Sequence, residues 1–276
     1  SIAQGNAVYM VDALTGARLW WASNTGANTT NASMTHSIVS RVSTLDRNAD
    51  GLVDHIYFGD LGGNVFRADF DNANQRTAGN TTNFGVRVVR LANLANSDQS
   101  KSPRFYEPPT LTIHDYGVDT FILVGIASGN RSSPLDILPL LSGGQNLTAM
   151  PVNNVYGIMD RDFVKKNLLP PAAPATLPAK IADSALESKE LVFANLQPKP
   201  QLLNTVIPNT FFGAAGVRKE GWYRSLSDKS DGTKVTGLKS FGTSTRTQTA
   251  KIDGGMKAFE EPIAIAGTLL VPVYDP

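Results

Sequence analysis

A chain of 276 residues with a 41% apolar fraction has material for one large core or two small ones, and its 25 basic and 24 acidic residues leave a formal net charge of +1, which argues against a nucleic-acid groove with its strong basic excess. No run of about 18 apolar residues occurs, so no membrane-spanning helix is expected. The absence of cysteine excludes disulfides, thiolate metal sites and thiol catalysis. The chain opens at Ser1 rather than Met, without a signal-peptide pattern. It is therefore expected to be a processed or excised piece of a longer protein.

Strand signals dominate from the start. Residues 7–12 are apolar and β-rich, residues 13–16 read as a turn, and residues 17–21 return as a partner strand. Residues 38–45 and 55–58 are rich in Ile, Val, Thr, Tyr and Phe and read as strands flanking the segment 46–54. A second hairpin runs through 55–59, the turn 60–63 and 64–69. The polar, Asn-rich stretch 71–82 reads as a long exposed loop. A third pair joins 108–113 to 120–126 through the turn 114–117, and 154–160 is a further strand. Helix is expected at 160–167 and at 180–191, where Ile181, Leu186 and Leu191 are apolar amid charges. Between them, Pro170, Pro171, Pro174 and Pro178 cannot lie in a sheet interior and mark an inserted surface segment at about 165–190. A last hairpin pairs 261–266 with 268–273 around Gly267.

The first two hairpins share an aliphatic–aromatic pair, then Asp or Gly-Asp, then a Gly-bearing turn: compare Val8-Tyr9-Met10-Val11-Asp12 with Ile56-Tyr57-Phe58-Gly59-Asp60. Imperfect repeats of this size suggest propeller blades, small sheets that cannot bury both faces alone. The expected fold is all-β: a modified, irregular, seven-bladed β-propeller over residues 1–276, with long loop insertions and minor helices.

The chemistry concentrates in Asp46-Arg47-Asn48-Ala49-Asp50-Gly51-Leu52-Val53-Asp54. Ca2+ is a hard cation that takes several oxygen ligands around a tight turn. In the EF-hand pattern, positions 1, 3 and 5 aim side chains at one centre, position 6 is Gly, position 7 offers its carbonyl and position 9 a side chain or water. Asp46, Asn48 and Asp50 fill 1, 3 and 5; Gly51 is at 6, Leu52 at 7 and Asp54 at 9. Position 12, where an EF-hand places a bidentate Glu, is Tyr57, and both flanks are strands. The expectation is a calcium loop joining two strands, with Asp46, Asn48, Asp50, Leu52 (carbonyl) and Asp54 as ligands and water completing the shell. Asx and Gly also populate ordinary turns, but four Asx ligands and a Gly in one register are more than a turn requires.

Other candidates carry less. His36, His55 and His114 have no metal-ligand spacing to one another, and no Ser-His-Asp or paired-acid signature is present. Surface or packing roles are expected for them. Gly62-Gly63-Asn64 lacks the Gly-Lys-Ser of a phosphate loop and reads as a hairpin turn. Trp20-Trp21 and Trp222-Tyr223 read as core and rim aromatics.

Four passages together resemble the C-terminal propeller domain of the PilY/PilC family, adhesins associated with the tips of type IV pili. These are 5–16; 45–54 with the hairpin 56–67; 124–131 leading on to 155–160; and 219–223 with 261–263. The second is the most specific, because the ion ligands and Gly59-Asp60-Leu61-Gly62-Gly63 occur in fixed order. The resemblance implies a non-enzymatic domain at the pilus tip or outer-membrane surface of a Gram-negative bacterium. It implies roles in pilus assembly, in opposing retraction, and in adhesion or twitching motility, with calcium governing extension against retraction. Implied partners are minor pilins, reached through the full-length protein, and a receptor on a host or abiotic surface. The Arg-Gly-Asp tripeptide of some members is absent here, so integrin binding is not implied. Some relatives serve DNA uptake; the balanced charge gives no sign of direct DNA contact by this domain. Two other readings compete. One is a calcium-stabilised carbohydrate-binding propeller. The other is a quinone-dependent dehydrogenase-like propeller, whose repeat the passage Tyr9 to Trp20 resembles once, without the regular recurrence such enzymes show.

Overall fold

The computed structural model describes residues 4–73, 84–97, 102–117, 119–132, 153–169, 180–198, 210–226, 239–241, 244–246 and 256–274. Most of the Asn-rich stretch 71–82 and the prolines from Pro170 to Pro178 lie outside the described residues.

The architecture is all-β. Strands β1 (Val8–Val11), β2 (Arg18–Ser23) and β3 (Thr29–Thr30) form a three-stranded sheet. Strands β4 (Ser43–Leu45), β5 (His55–Gly59), β6 (Asn64–Phe70) and β7 (Gly85–Asn93) form a four-stranded antiparallel meander in chain order. Strands β8 (Thr110–Asp115), β9 (Thr120–Ala127), β10 (Asn154–Asp160), β11 (Gln197–Pro198) and β12 (Gly221–Ser225) build a five-stranded sheet in the order β11-β12-β10-β9-β8. Three two-stranded pairs complete the set. These are β13 (Lys239–Phe241) with β14 (Ser244–Arg246), β15 (Lys257–Ala258) with β18 (Val273–Tyr274), and β16 (Ile263–Ile265) with β17 (Thr268–Leu270). One of the six sheets has the four strands of a propeller blade and another has five, so the described residues do not display seven complete blades.

The meander is buried on both faces, and strand periodicity assigns its side chains. Ile56, Phe58, Phe66, Ala68 and Phe70 point one way, into a cluster with Trp20, Ala22, Met34, Phe84 and Val88. Tyr57, Val65, Val89 and Leu91 point the other way, against Ile122, Val124, Ile126, Tyr156 and Ile158 of the five-stranded sheet. Each such large apolar side chain contributes roughly 1.5–3 kcal/mol on burial. Trp20 is a core residue, as expected, while Trp21 stacks on Tyr9 nearer the surface.

Both expected helices are corrected. At 160–167 there is a single 3-10 turn, Asp162–Val164, and Lys165 is already extended. The Asp162 carboxylate takes the N–H groups of Glu187 (3.0 Å) and Ser188 (2.8 Å), which fixes the turn to a distant segment. At 180–191 the only helical turn is Asp183–Ala185. The apolar residues there recur every five positions, which moves each about 140° around a helix axis and leaves no continuous face. Leu186 and Leu191 instead enter the core from a largely extended segment, and Leu191 bridges the outer edge of β7 at Ala92. That contact covers an edge that would otherwise expose unpaired backbone groups. The expected strand 38–45 shrinks to β4, because Ile38 donates its N–H to Gly5 outside any ladder. Strand β7, with two arginines among its valines, was not expected.

Candidate metal centre

The segment 46–54 connects β4 to β5, and the two strands pair directly behind it: Leu45 faces His55 and accepts the Asp54 N–H at 3.0 Å. The loop is folded by its own Asx side chains. Asp46 Oδ1 accepts the N–H of Asn48 (3.2 Å) and Ala49 (2.7 Å), and Oδ2 accepts that of Gly51 (2.7 Å). Asn48 Oδ1 accepts the Asp50 N–H at 3.1 Å, while its amide donates to Asp50 Oδ2 at 3.0 Å. Asp50 Oδ1 accepts the Leu52 N–H at 2.8 Å. The turn needs left-handed backbone at Ala49 (φ 61°) and Gly51 (φ 86°). A Cβ at position 51 would meet nothing within 4 Å, so glycine is required there for its conformation rather than for space. The Asp46 carboxyl is held below its usual range: loss of solvent pushes it up, but the N–H groups of Gly51, Ala49, Asp50 and Asn48 outweigh this.

Asp54 behaves differently from the other three. It is buried at the base of the loop, with Oδ2 accepting the Arg47 N–H and Oδ1 the Asn72 amide, each at 2.9 Å. Asn72 also donates to the Val53 carbonyl at 3.1 Å. Asp46, Asn48 and Asp50 are thus brought into one turn, Leu52 follows on the exposed side, and Asp54 anchors the assembly to the sheet. Among the described residues, no three acidic or histidine side chains are gathered closely enough to hold an ion unaided. The donor set fits a hard cation only with the Asn48 amide oxygen, the Leu52 carbonyl and water included. All of its donors are oxygens, which suits Ca2+ and not a soft metal. Tyr57, at position 12, lies inside β5 and takes no part in the loop.

The polar chemistry behind the loop is a buried ionic network that sequence reading did not anticipate. His55, Tyr57, Arg67 and Asp69 share one face of β5 and β6, opposite Asp160 at the end of β10, and all five are fully shielded from solvent. Arg67 grips Asp69 with two hydrogen bonds (2.7 and 3.1 Å) and reaches Asp160 Oδ2 at 2.6 Å. The Tyr57 hydroxyl donates to the same Asp160 oxygen at 2.9 Å, and His55 Nδ1 lies 2.9 Å from Asp69 Oδ1. Burial pushes the Asp69 carboxyl up, but Arg67 and His55 hold it well below the usual carboxylate range. Burial opposes the Arg67 charge, yet Asp160 and Asp69 keep it protonated far above any working pH. The visible sequence signal was Phe66-Arg67-Ala68-Asp69-Phe70, charges alternating with aromatics inside one strand. Of the other histidines, His36 packs on the Gly62 turn and His114 among Tyr116 and Phe121. Asn64 donates its N–H and amide to Asp60, closing the expected hairpin turn.

The crystal structure of the Pseudomonas aeruginosa PilY1 C-terminal domain is similar to this chain, with a TM-score of 0.57 and 18% sequence identity, over 99% of this chain and 51% of that one. The two share a fold. This chain spans about half the length of the PilY1 domain. No family model matches the sequence, and no curated protein matches it.

Proposed function

We propose that this chain is the calcium-binding, non-enzymatic propeller module of a type IV pilus tip-associated protein displayed at the outer surface of a Gram-negative cell. The observation that carries the reading is the loop 46–54, which closes on Asp46, Asn48, Asp50 and Gly51 between two paired strands of a chain with the PilY1 C-terminal fold. When bound, the ion would supply positive charge beside the Asp46 and Asp50 carboxylates of one turn, above the buried Asp54. Asp46, Asn48, Asp50 and the Leu52 carbonyl form the mouth of the site, and Asp54 holds its floor. In this reading the module supports pilus assembly and opposes retraction. It reaches minor pilins through the full-length protein and takes part in adhesion to a host or abiotic surface. Among the described residues no helix is long and apolar enough to cross a membrane, which is compatible with external display.

Calorimetry tests the ion directly. About one calcium per chain is expected, and saturation at a hundredfold excess over Kd should add about 2.7 kcal/mol of stability by mass action. Asp50→Ala is the cleanest variant, because Asp50 is exposed and its side chain bonds only within the loop. It should lose or greatly weaken binding and leave the unfolding transition without calcium nearly unchanged. Undiminished uptake by Asp50→Ala would reduce the loop to a turn. In cells the same change should alter surface piliation or twitching; unchanged piliation would confine the ion to stability.

A further inference from the structure

Arg47 occupies the one loop position after Asp46, where an EF-hand-like loop needs no ligand. Its backbone N–H donates to Asp54 Oδ2 at 2.9 Å. Its side chain leaves the loop altogether. Nη2 donates to the Lys165 carbonyl at 2.7 Å, and the guanidinium lies over the Phe163 ring, 5.8 Å from its centre. Lys165 and Phe163 belong to the turn that follows β10, in the neighbouring five-stranded sheet. The same Lys165 carbonyl accepts the Leu168 N–H at 3.0 Å, and Leu168 is fully buried between the sheets. The Lys165 ammonium bridges Asp162 (2.9 Å) and Glu187 (2.8 Å). Asp162 in turn donates its N–H to Asp160 Oδ1 at 3.1 Å, and Asp160 holds Arg67 and Tyr57. The path leaves the loop at Arg47 and returns to β5 three residues beyond Asp54.

We propose that Arg47 is a positioning residue that couples cation occupancy of the loop to the packing of the turn 162–168. This rests on the calcium reading above. An ion that draws Asp54 toward the loop mouth moves the carboxylate to which the Arg47 backbone is tied. A planar guanidinium fixed by a hydrogen bond and a ring face transmits that movement better than a flexible ammonium. Linkage makes the effect reciprocal: a turn that holds Arg47 in place also prepares the loop for the ion.

The sign of one measurement separates this from plain electrostatics. Arg47 is a cation beside a cation site, so charge alone predicts that Arg47→Ala binds calcium more tightly. Coupling predicts weaker binding, by roughly 3- to 30-fold, with Arg47→Lys intermediate because it keeps the charge and loses the fork. Hydrogen exchange of the full chain gives the second readout. Calcium should slow the Lys165 and Leu168 amides in the parent protein, and this slowing should disappear in Arg47→Ala while the loop amides still respond. If Arg47→Ala does not fold, Arg47→Lys carries the same two measurements. Equal or tighter binding by the variants, with calcium still slowing Lys165 and Leu168, would overturn the coupling and leave the calcium site standing. No calcium binding by the parent protein would overturn both.

Discussion

Arg67 has no access to water, and its charge is balanced by carboxylates from two sheets, Asp69 on its own strand and Asp160 on β10. Such a group is costly to bury and far more costly to orphan, because removing one partner leaves uncompensated charge in a low-dielectric interior. Arg67→Ala would leave Asp160 with the Tyr57 hydroxyl and the Asp162 N–H, and Asp69 with His55 and the more distant Arg87 at 3.7 Å. We expect a loss of about 3–5 kcal/mol in urea unfolding; a loss below about 1 kcal/mol would mean that water enters and takes over the role. The network also accounts for the departure of Tyr57 from the EF-hand pattern. Its side chain belongs to the joint between sheets, where burial and the neighbouring Asp160 raise its phenol pKa and keep it neutral. It is thus the wrong chemistry for a ligand at position 12.

At the scale of elements, close approach decides what local propensity cannot. Gly157 sits in mid β10, paired with Gly125 on β9 and Trp222 on β12. A Cβ there would fall 2.4 Å from the Trp222 ring. Gly157→Ala should therefore cost about 1–3 kcal/mol, the usual range for an overpacked core, and should shift Trp222 emission as the ring moves; an unperturbed spectrum with full stability would show that the strand adjusts freely. Hairpins such as β1–β2, β5–β6 and β16–β17 are legible in the sequence because their partners are joined by short Gly-bearing turns. Strand β12 is not legible in that way. Its partner β10 lies more than sixty residues earlier, and nothing local marks the pairing. The segment 180–191 shows the same limit from the other side. Its leucines and charges suggest a helix, but their five-residue spacing is satisfied by an extended strap that reaches into the core at Leu186 and Leu191.

Among the described residues, the four-stranded meander is sealed between two neighbouring sheets, with apolar packing on one face and the ionic network embedded in the other. This gives acid sensitivity with a definite sign. The Asp69 pKa is lower folded than unfolded. Its stabilising contribution is thus complete above the unfolded carboxylate value of about 3.9 and fades as pH falls below it toward the folded value. Melting temperature followed from pH 7 to pH 2 should hold steady and then decline below about pH 4, more steeply in the parent protein than in Asp69→Asn. Parallel acid limbs would assign the decline to other carboxylates.

The Asx-folded loop 46–54 was legible because its hydrogen bonding is local. Asp46, Asn48, Asp50 and Gly51 act on one another within nine residues, and the hydrogen bonds seen there are those that the spacing of short polar side chains allows. The all-β class was legible for the same reason, through period-two patterns and short turns. Contacts between residues far apart in the chain were left to tertiary structure. Arg47 meets Lys165 across 118 positions and Arg67 meets Asp160 across 93, while Asn72 holds Asp54 from just beyond the end of β6. Sequence spacing determines which side chains share a turn or a strand face; the packing of one sheet on another determines which charges meet, because that encounter depends on chain geometry summed over many residues and on no single local preference.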